Sequence, residues 1–225
     1  QLAAIKERYD EIITGLKLDF SLAEDFSVIE ENFKEKAGRD YAASRGEYLN
    51  GKIMAAYLGY EFIDAAQVIR FDEDGAFEPE LTNKLMAKKL ASCENGVIPG
   101  FYGACADGTV KTFSRGGSDI TGSIVARAMK ADLYENWTDV SGFLVTDPRI
   151  VENPEPVDLI TYRELRELSY MGASVLHEEA IFPVRKAGIP INIRNTNHPE
   201  DKGTMIVSTT SKKSKFTITG IAGKK

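Results

Sequence analysis

Apolar residues recur at helical spacing in the first part of the chain, at Leu2, Ile5, Tyr9, Ile12, Ile13 and Leu16. This period predicts an amphipathic helix, which a polar, mixed segment follows. Further helical patterns cover residues 81–90, 120–129 and, with a break, 165–187. Short apolar runs lie between them at residues 62–63, 97–98, 133–134, 143–145 and 189–193. Strands that alternate with helices predict parallel βαβ units, and therefore an α/β fold.

Local signals add one more helix, two turns and a last strand. Ser44 and Glu47 form the S-x-x-E pattern of a capping box, in which each side chain bonds an unpaired backbone N–H. The pattern predicts a helix that begins at Ser44, and Gly59 fits its C-terminus. Asp-Gly pairs at 74–75 and 107–108 predict hairpin turns, and residues 204–207 predict a strand.

Composition and charge narrow the class of protein. The chain has 225 residues, of which 43% are hydrophobic and 28% charged, and its net charge is −6. A nucleic-acid surface needs clustered Lys and Arg, so nucleic acid is not an expected partner. No apolar run reaches the length of about 18 residues that spans a membrane, so no membrane partner is expected either. Cys93 and Cys105 have neither disulfide-framework nor metal-ligand spacing, which indicates no metal ligands and a reduced, cytoplasmic location.

The segment from Ser114 to Asp119 has the chemistry of an anion site. It reads S-R-G-G-S-D and leads directly into the helical pattern at 120–129. Its two glycines let a ligand approach the main chain, and the helix that follows offers unpaired N–H groups. Arg115 adds a planar fork that suits a carboxylate or phosphate. The alternative is a solvent turn with Asp119 as the helix N-cap.

A second polar segment follows a predicted strand, at residues 137–149. Ligands of open α/β sheets bind beyond the carboxyl ends of strands, where such segments gather. Thr138 and Asp139 are suited to ribose or metal-bound water, and Arg149 to phosphate. The alternative is that residues 146–148 form a simple turn.

The motifs stand in a particular order, namely S-R-G-E at 44–47, S-R-G-G-S-D at 114–119, W-T-D-V-S-G at 137–142, T-D-P-R at 146–149, M-G-A-S-V-L-H at 171–177 and G-T at 203–204. In this order they resemble the catalytic domain of aspartate kinases. The resemblance implies the amino-acid kinase fold, an α/β three-layer αβα sandwich with a mainly parallel sheet. It also implies a catalytic domain over residues 1–208 and, over 209–225, a linker with the first strand of a regulatory ACT domain.

The resemblance implies a role for each candidate residue. The implied substrate residues are Glu47, Arg115, Gly116, Gly117, Ser118 and Asp119. Arg115 would hold the α-carboxylate of aspartate, while Glu47 and Asp119 would hold its α-ammonium. The implied ATP-binding residues are Thr138, Asp139, Arg149, Ser174 and Val175.

Aspartate kinases transfer the γ-phosphate of ATP to the β-carboxylate of L-aspartate, the first step towards lysine, threonine and methionine. The resemblance therefore implies ATP and Mg²⁺ as cofactors, aspartate as the second small-molecule substrate, and a homodimer. The β-carboxylate is already ionised at neutral pH, so the reaction needs no strong base. Catalysis would then consist of positioning and of neutralising charge on the transferred phosphoryl group.

Three departures from the family pattern bear on these expectations. The opening strand and its K-F-G-G loop, with a phosphate-binding Lys, are absent, so the chain alone is expected to be inactive. Ser174 stands where many members have Lys, and Leu144 replaces an aromatic residue. Two alternatives remain open: another amino-acid kinase, acting on glutamate, N-acetylglutamate or a nucleoside monophosphate, or a non-catalytic nucleotide-binding or regulatory fragment.

Overall fold

The computed structural model describes residues 1–147, 150–170, 176, 179–211 and 218–221. The chain divides into two compact units, Gln1–Ser118 and Asp119–Lys225. The helices of the first unit are α1 (Leu2–Gly15), α2 (Ala23–Lys34), α3 (Arg39–Leu58), α4 (Ala65–Val68) and α5 (Pro79–Leu90). Helices α1 and α5 confirm the sequence prediction. Helix α2 was not predicted, although its buried Phe26 and Ile29 follow buried Leu22 at helical spacing.

The capping-box prediction for Ser44 is wrong. Helix α3 begins at Arg39, so Ser44 lies inside it, fully buried, and its hydroxyl donates to the Tyr41 carbonyl at 2.8 Å. The chain enters the helix through Gly38 at φ +92°, a conformation that favours glycine. The other end agrees with the prediction, because Gly59 adopts the left-handed conformation after the last turn.

Short strands complete the first unit. Strands β1 (Glu61–Phe62) and β2 (Gly96–Val97) pair in parallel. Strands β3 (Tyr102–Ala104) and β4 (Val110–Thr112) form an antiparallel hairpin. The predicted Asp-Gly turn connects these two strands, with Gly108 at φ +89° and the Asp107 carboxylate accepting from the Thr109 backbone N–H at 2.8 Å.

A four-stranded sheet forms the centre of the second unit. Its strands are β5 (Tyr134–Thr138), β6 (Leu159–Thr161), β7 (Ile191–Asn195) and β8 (Thr204–Val207), in the order β5-β7-β8-β6. The helices are α6 (Gly117–Met129), α7 (Tyr162–Tyr170) and α8 (Phe182–Ala187), with a 3₁₀ turn at Glu179–Ile181. Pairs β5·β7 and β6·β8 are parallel, whereas β7·β8 is antiparallel. The sheet is therefore mixed.

The core of this unit joins the sheet to its helices. Ile160, Ile191, Ile193 and Ile206 from the strands are fully buried in one cluster with helical residues such as Val184. The apolar run at 189–193 therefore lies in the core, as its pattern predicts.

The strand predicted at residues 143–145 is wrong. Phe143 is buried in the core, but the run makes only an isolated bridge between Leu144 and Pro156. At this bridge the Val157 N–H donates to the Phe143 carbonyl at 2.8 Å and the Val145 N–H donates to the Glu155 carbonyl at 3.0 Å. The Phe143 N–H instead donates to the hydroxyl of Thr204 at 2.8 Å, so the pairing extends no further on that side. Among the described residues, no helix combines the length and apolarity needed to cross a membrane.

Candidate active site

The glycine segment, residues 114–118, is shaped by close backbone packing in the first unit. Gly117 is buried, and a Cβ there would lie 2.5 Å from Phe101 Cβ and 2.8 Å from Phe101 Cα. A Cβ on Gly100 would likewise lie 3.0 Å from Ser118 Cα. A Cβ on Gly117 would require the Phe101 backbone to move, whereas one on Gly100 would require only a small adjustment, so Gly117 is the glycine that this contact needs. Gly116, at φ +55°, supplies the turn that precedes it.

Aromatic rings support the start of this segment. Phe113 packs against Phe71 and Phe77, with ring centroids 5.0 Å and 5.4 Å away. Its backbone N–H donates to the Phe101 carbonyl at 2.9 Å. Arg115 follows this anchored residue and is exposed to solvent, without an ion pair to any described residue. The segment therefore presents a guanidinium on a firmly held backbone.

Glu47 lies on the exposed side of α3 in the same unit. Its neighbour is Tyr9, whose hydroxyl donates to the Gly46 carbonyl at 3.1 Å. Burial raises the pKa of Tyr9, and the negative charge of Glu47 raises it further. Glu47 and Arg115 are both exposed, and the structure describes no hydrogen bond or ion pair between them.

Arg45 has a role that the sequence interpretation missed. Its guanidinium carbon lies 4.5 Å from the ring centroids of both Tyr41 and Tyr48, and 5.5 Å from that of Tyr102. It also donates to the Ser44 hydroxyl at 3.0 Å and 3.1 Å. Cation–π contacts on three rings fix α3 beside strand β3. The S-R-G-E motif therefore joins a structural arginine to an exposed carboxylate.

Asp119 is held by strand β5 of the second unit. It lies in the first turn of α6, so the alternative in which it caps the helix from outside is wrong. One carboxylate oxygen accepts from the Asn136 amide at 2.9 Å, and its backbone carbonyl accepts from the Tyr134 hydroxyl at 3.3 Å. A carboxylate in a first turn also faces the positive end of the helix dipole.

The β5 loop, residues 138–143, begins where strand β5 ends. The Thr138 hydroxyl donates to the Asp139 carboxylate at 3.2 Å, and Asp139 is exposed. The Thr138 carbonyl accepts from the backbone N–H and the hydroxyl of Thr196, at 2.8 Å and 2.9 Å. Thr138 and Asp139 are therefore held together at the carboxyl end of a strand, where the fold class places ligands.

Residues from the end of β7, the start of β8 and the connection between them hold the rest of the β5 loop. The Ser141 hydroxyl donates to the Asp201 carboxylate and accepts from the Asn195 amide at 2.9 Å. Gly142, at φ +101°, lies so close to Thr204 that a Cβ would be 2.7 Å from its backbone nitrogen. The loop conformation thus depends on polar contacts along its whole length.

Strand β5 links two groups of predicted site residues within the second unit. Asn136, which holds Asp119, precedes Thr138 by two positions, so both side chains lie on the same side of the strand. Arg149, Ser174 and Val175 lie outside the described residues. The Asp147 carbonyl accepts from the Ile150 and Val151 backbone N–H groups, at 3.0 Å and 3.1 Å. The turn predicted at residues 146–148 includes Pro148, which lies outside the described residues.

Comparison with known proteins identifies the family. A sequence model described as the amino acid kinase family matches residues 4–195. The chain belongs to this family. Over 221 residues it is 42% identical to Aspartokinase 3 of Bacillus subtilis, covering 91% of the chain and 48% of that protein. It is 32% identical to the chloroplastic Aspartokinase 1 of Arabidopsis thaliana, covering 93% of the chain and 41% of that protein. The chain thus spans about half the length of these curated relatives.

Solved structures of family members share the fold. Aspartate kinase of Clostridium acetobutylicum is 58% identical, with a TM-score of 0.91, over 98% of this chain and 51% of that one. E. coli aspartokinase III in complex with aspartate and ADP is 26% identical, with a TM-score of 0.79, over 93% and 52% of the two chains. The predicted resemblance to aspartate kinases and the amino-acid kinase fold are confirmed.

Proposed function

We propose that this chain is the larger part of the catalytic domain of an aspartate kinase, which phosphorylates the β-carboxylate of L-aspartate with ATP. The observation that carries the proposal is the likeness to aspartokinases over most of the chain, together with the order of the charged residues along the glycine segment. Arg115 is exposed at its start, and Asp119 follows its end in the first turn of α6. A cation and an anion four positions apart suit the carboxylate and ammonium of an amino acid.

In this proposal each group holds one part of aspartate. Arg115 binds the α-carboxylate, and the backbone of Gly116, Gly117 and Ser118 lines the same pocket. Asp119 binds the α-ammonium, and Glu47 is assigned to the same ammonium. The exposure of Glu47 supports that assignment, because the structure gives its carboxylate no hydrogen bond of its own.

The nucleotide is assigned to the β5 loop, with Thr138 and Asp139 as its contacts and Arg149, Ser174 and Val175 as further ones. Mg²⁺ would arrive with ATP, since no described residues cluster as a group of three or more His, Cys, Asp or Glu that could hold a metal. This fits an ion that usually binds through substrate phosphates and one or two carboxylates. Asp139 is exposed and is suited to contact that ion or its water.

The proposed mechanism relies on position and charge rather than on a general base. The substrate β-carboxylate is ionised at neutral pH and acts directly as the nucleophile. Arg115 and Asp119 orient the amino acid, so that the β-carboxylate approaches the γ-phosphate with little loss of entropy at the reaction step. Arg149, the cation among the assigned nucleotide contacts, would offset part of the charge of the transferred phosphoryl group.

The proposal extends to the whole protein. Residues 1–208 would be the catalytic domain without its first strand and K-F-G-G loop, and residues 209–225 a linker with the first strand of an ACT domain. The whole protein would be a cytoplasmic homodimer that serves lysine, threonine and methionine synthesis. The share of the relatives that the chain spans, 41% to 48%, supports a longer protein.

The test is formation of aspartyl phosphate, trapped as its hydroxamate. The whole protein should convert aspartate with ATP and leave glutamate unchanged, since the proposal takes aspartate as the amino acid that Arg115 and Asp119 hold. A protein limited to these 225 residues should give no measurable product. ATP binding without transfer by the whole protein would instead favour a regulatory nucleotide-binding protein, and turnover of glutamate would favour another amino-acid kinase.

A further inference from the structure

Asp119 takes part in a closed ring of hydrogen bonds within the second unit. The Asn136 amide nitrogen donates to the Asp119 carboxylate at 2.9 Å and to the Tyr134 hydroxyl oxygen, also at 2.9 Å. The Tyr134 hydroxyl then donates to the Asp119 carbonyl at 3.3 Å. Both hydrogens of the amide are thus used, and both the side chain and the backbone of Asp119 are tied to strand β5.

The ring is buried at Asn136 and half-buried at Tyr134 and Asp119. Asn136 is only 8% exposed, and burial raises the pKa of Tyr134 to about 12. The Tyr134 hydroxyl therefore keeps its proton at neutral pH and remains a donor. Hydrogen bonds in such surroundings are stronger, and losing one partner is costly.

Close packing sets the distance between the helix and the strand. Gly122 lies one turn after Asp119 in α6, and a Cβ there would be 2.6 Å from the Tyr134 hydroxyl oxygen and 2.8 Å from two of its ring carbons. The absence of a side chain at this position lets the tyrosine reach the helix backbone. Packing and hydrogen bonding therefore both hold Asp119 in the same position.

The ring occupies only one of the two carboxylate oxygens of Asp119. Within the described part of the chain, the other oxygen has no hydrogen-bond partner, and Asp119 is half-buried rather than exposed. A carboxylate that is held by one oxygen presents the second in a defined direction. Such preorganisation is what a bound ammonium group requires, because little reorganisation is needed on binding.

We propose that Asn136 and Tyr134 are positioning residues, which aim the Asp119 carboxylate at the α-ammonium of the substrate. They thereby set the preference for an amino acid over the same diacid without its amino group. The inference rests on the proposed function, because it takes aspartate as the substrate. Asn136 is not a catalytic residue here, since it acts only through Asp119.

The test compares aspartate with succinate, which lacks the α-ammonium, in the whole protein. Asn136→Leu should raise the KM for aspartate about tenfold, the loss expected for a weakened charge-assisted contact. The inhibition constant of succinate and the KM for ATP should stay within about twofold, because neither ligand uses the Asp119 carboxylate. Selectivity for aspartate over succinate should therefore fall about tenfold.

Two further variants separate hydrogen bonding from packing. Asn136→Asp keeps the shape of the side chain but places a second carboxylate beside Asp119, so it should raise the aspartate KM more than Asn136→Leu does. Tyr134→Phe keeps the ring on Gly122 and removes only the hydroxyl. It should raise the aspartate KM about threefold.

Asn192→Leu is the matched control. Asn192 is also 8% exposed, lies on the neighbouring strand β7, and its amide oxygen has no hydrogen-bond partner. It does not contact Asp119, so aspartate and succinate should bind as in the unchanged protein.

Each outcome decides between the alternatives. If Asn136→Leu weakened succinate or ATP as much as aspartate, Asn136 would only maintain strand β5, and the inference would be wrong. If that variant failed to fold, Asn136→Asp and Tyr134→Phe would carry the test, and an unchanged aspartate KM in both would overturn it. Failure of the unchanged whole protein to phosphorylate aspartate would instead refute the proposed function.

Discussion

The glycine segment and the β5 loop carry most of the candidate site residues, and the two are held in different ways. The glycine segment is held by packing: Gly117 lies against Phe101, and Phe113 joins a cluster of rings. The β5 loop is held by polar contacts, from Thr196 to Thr138 and from Asp201 and Asn195 to Ser141. The glycine segment is fixed mainly by the absence of space, whereas the β5 loop combines the close approach of Gly142 to Thr204 with satisfied donors and acceptors.

This difference predicts that the two regions respond to different kinds of substitution. Close packing responds to added volume, because neighbouring backbone atoms cannot move aside. A hydrogen-bonded loop responds to the loss of single polar groups, each of which contributes about 1 kcal/mol, or more if a buried partner is left unpaired. Substitutions should therefore act abruptly in the glycine segment and in smaller steps in the β5 loop.

Arg115→Ala should give the largest effect, because it removes the charge that the glycine segment presents. The loss of a charge-assisted, two-point contact should cost about 2–4 kcal/mol, or about 30- to 1,000-fold in kcat/KM for aspartate. The melting temperature and the KM for ATP should change little, since Arg115 is exposed. Steady-state kinetics of the whole protein measure this, with exposed Arg163→Ala as the control. Weakened ATP binding with normal aspartate kinetics would reverse the two site assignments.

Gly117→Ala tests the packing of the glycine segment. The added Cβ would meet Phe101 at 2.5 Å, and its backbone Cα at 2.8 Å. We expect a loss of about 3 kcal/mol in the free energy of unfolding, measured by urea denaturation. Gly46→Ala is the matched control, because a Cβ at that helical position meets nothing within 4 Å and should be neutral or stabilising. Equal stability of the two variants would contradict the packing account.

Thr204→Val tests the polar support of the β5 loop. The Thr204 hydroxyl accepts from the Phe143 backbone N–H at 2.8 Å and donates to the Val157 carbonyl at 2.6 Å. Valine would leave both buried groups unpaired, at a cost of about 2 kcal/mol in the free energy of unfolding. Thr209→Val, at an exposed position, should change that free energy by less than about 0.5 kcal/mol. A neutral Thr204→Val would mean that the loop does not depend on this hydroxyl.

Ser141→Ala should give the smallest effect. It removes the hydroxyl that joins Asp201 and Asn195. We expect the observed loop conformation to become about 1 kcal/mol less favourable in free energy. The KM for ATP should rise about fivefold and the KM for aspartate should stay unchanged, the opposite of the pattern expected for Arg115→Ala. Exposed Ser208→Ala serves as the control. An equal rise in both KM values would show that the two regions do not act separately.

Local patterns in the sequence were sufficient to predict secondary structure where one periodicity or one turn residue decides it. The apolar spacing of α1, the Asp107-Gly108 turn and strand β8 were all predicted from neighbouring residues. The glycine segment and the Thr138-Asp139 pair are chemically recognisable in the sequence too, and their assignment to aspartate and ATP stays a prediction. Family membership follows from those motifs and their order.

Local patterns failed where distant residues compete for the same backbone groups. Ser44 and Glu47 match a capping box, but the pattern is equally compatible with a helix interior, and Gly38 sets the true start. The run at 143–145 is as apolar as a strand, but it pairs with residues 155–157 at one bridge only, and its Phe143 N–H donates to the hydroxyl of Thr204. Thr204 lies 61 positions from Phe143, outside any local window of sequence, whereas Gly38 lies near Ser44 but carries no signal that favours it over Ser44 as the start of the helix.

The sequence alone therefore determined the fold class, the family and the identity of most candidate site residues, because these depend on the order and chemistry of short motifs. Only the tertiary structure decided how the residues are held. Asn136 is an ordinary polar residue in the sequence, and it gains its proposed role because strand β5 places its amide 2.9 Å from Asp119. Hydrogen bonds between side chains distant in sequence require the folded backbone to bring them together, so they cannot be inferred from spacing.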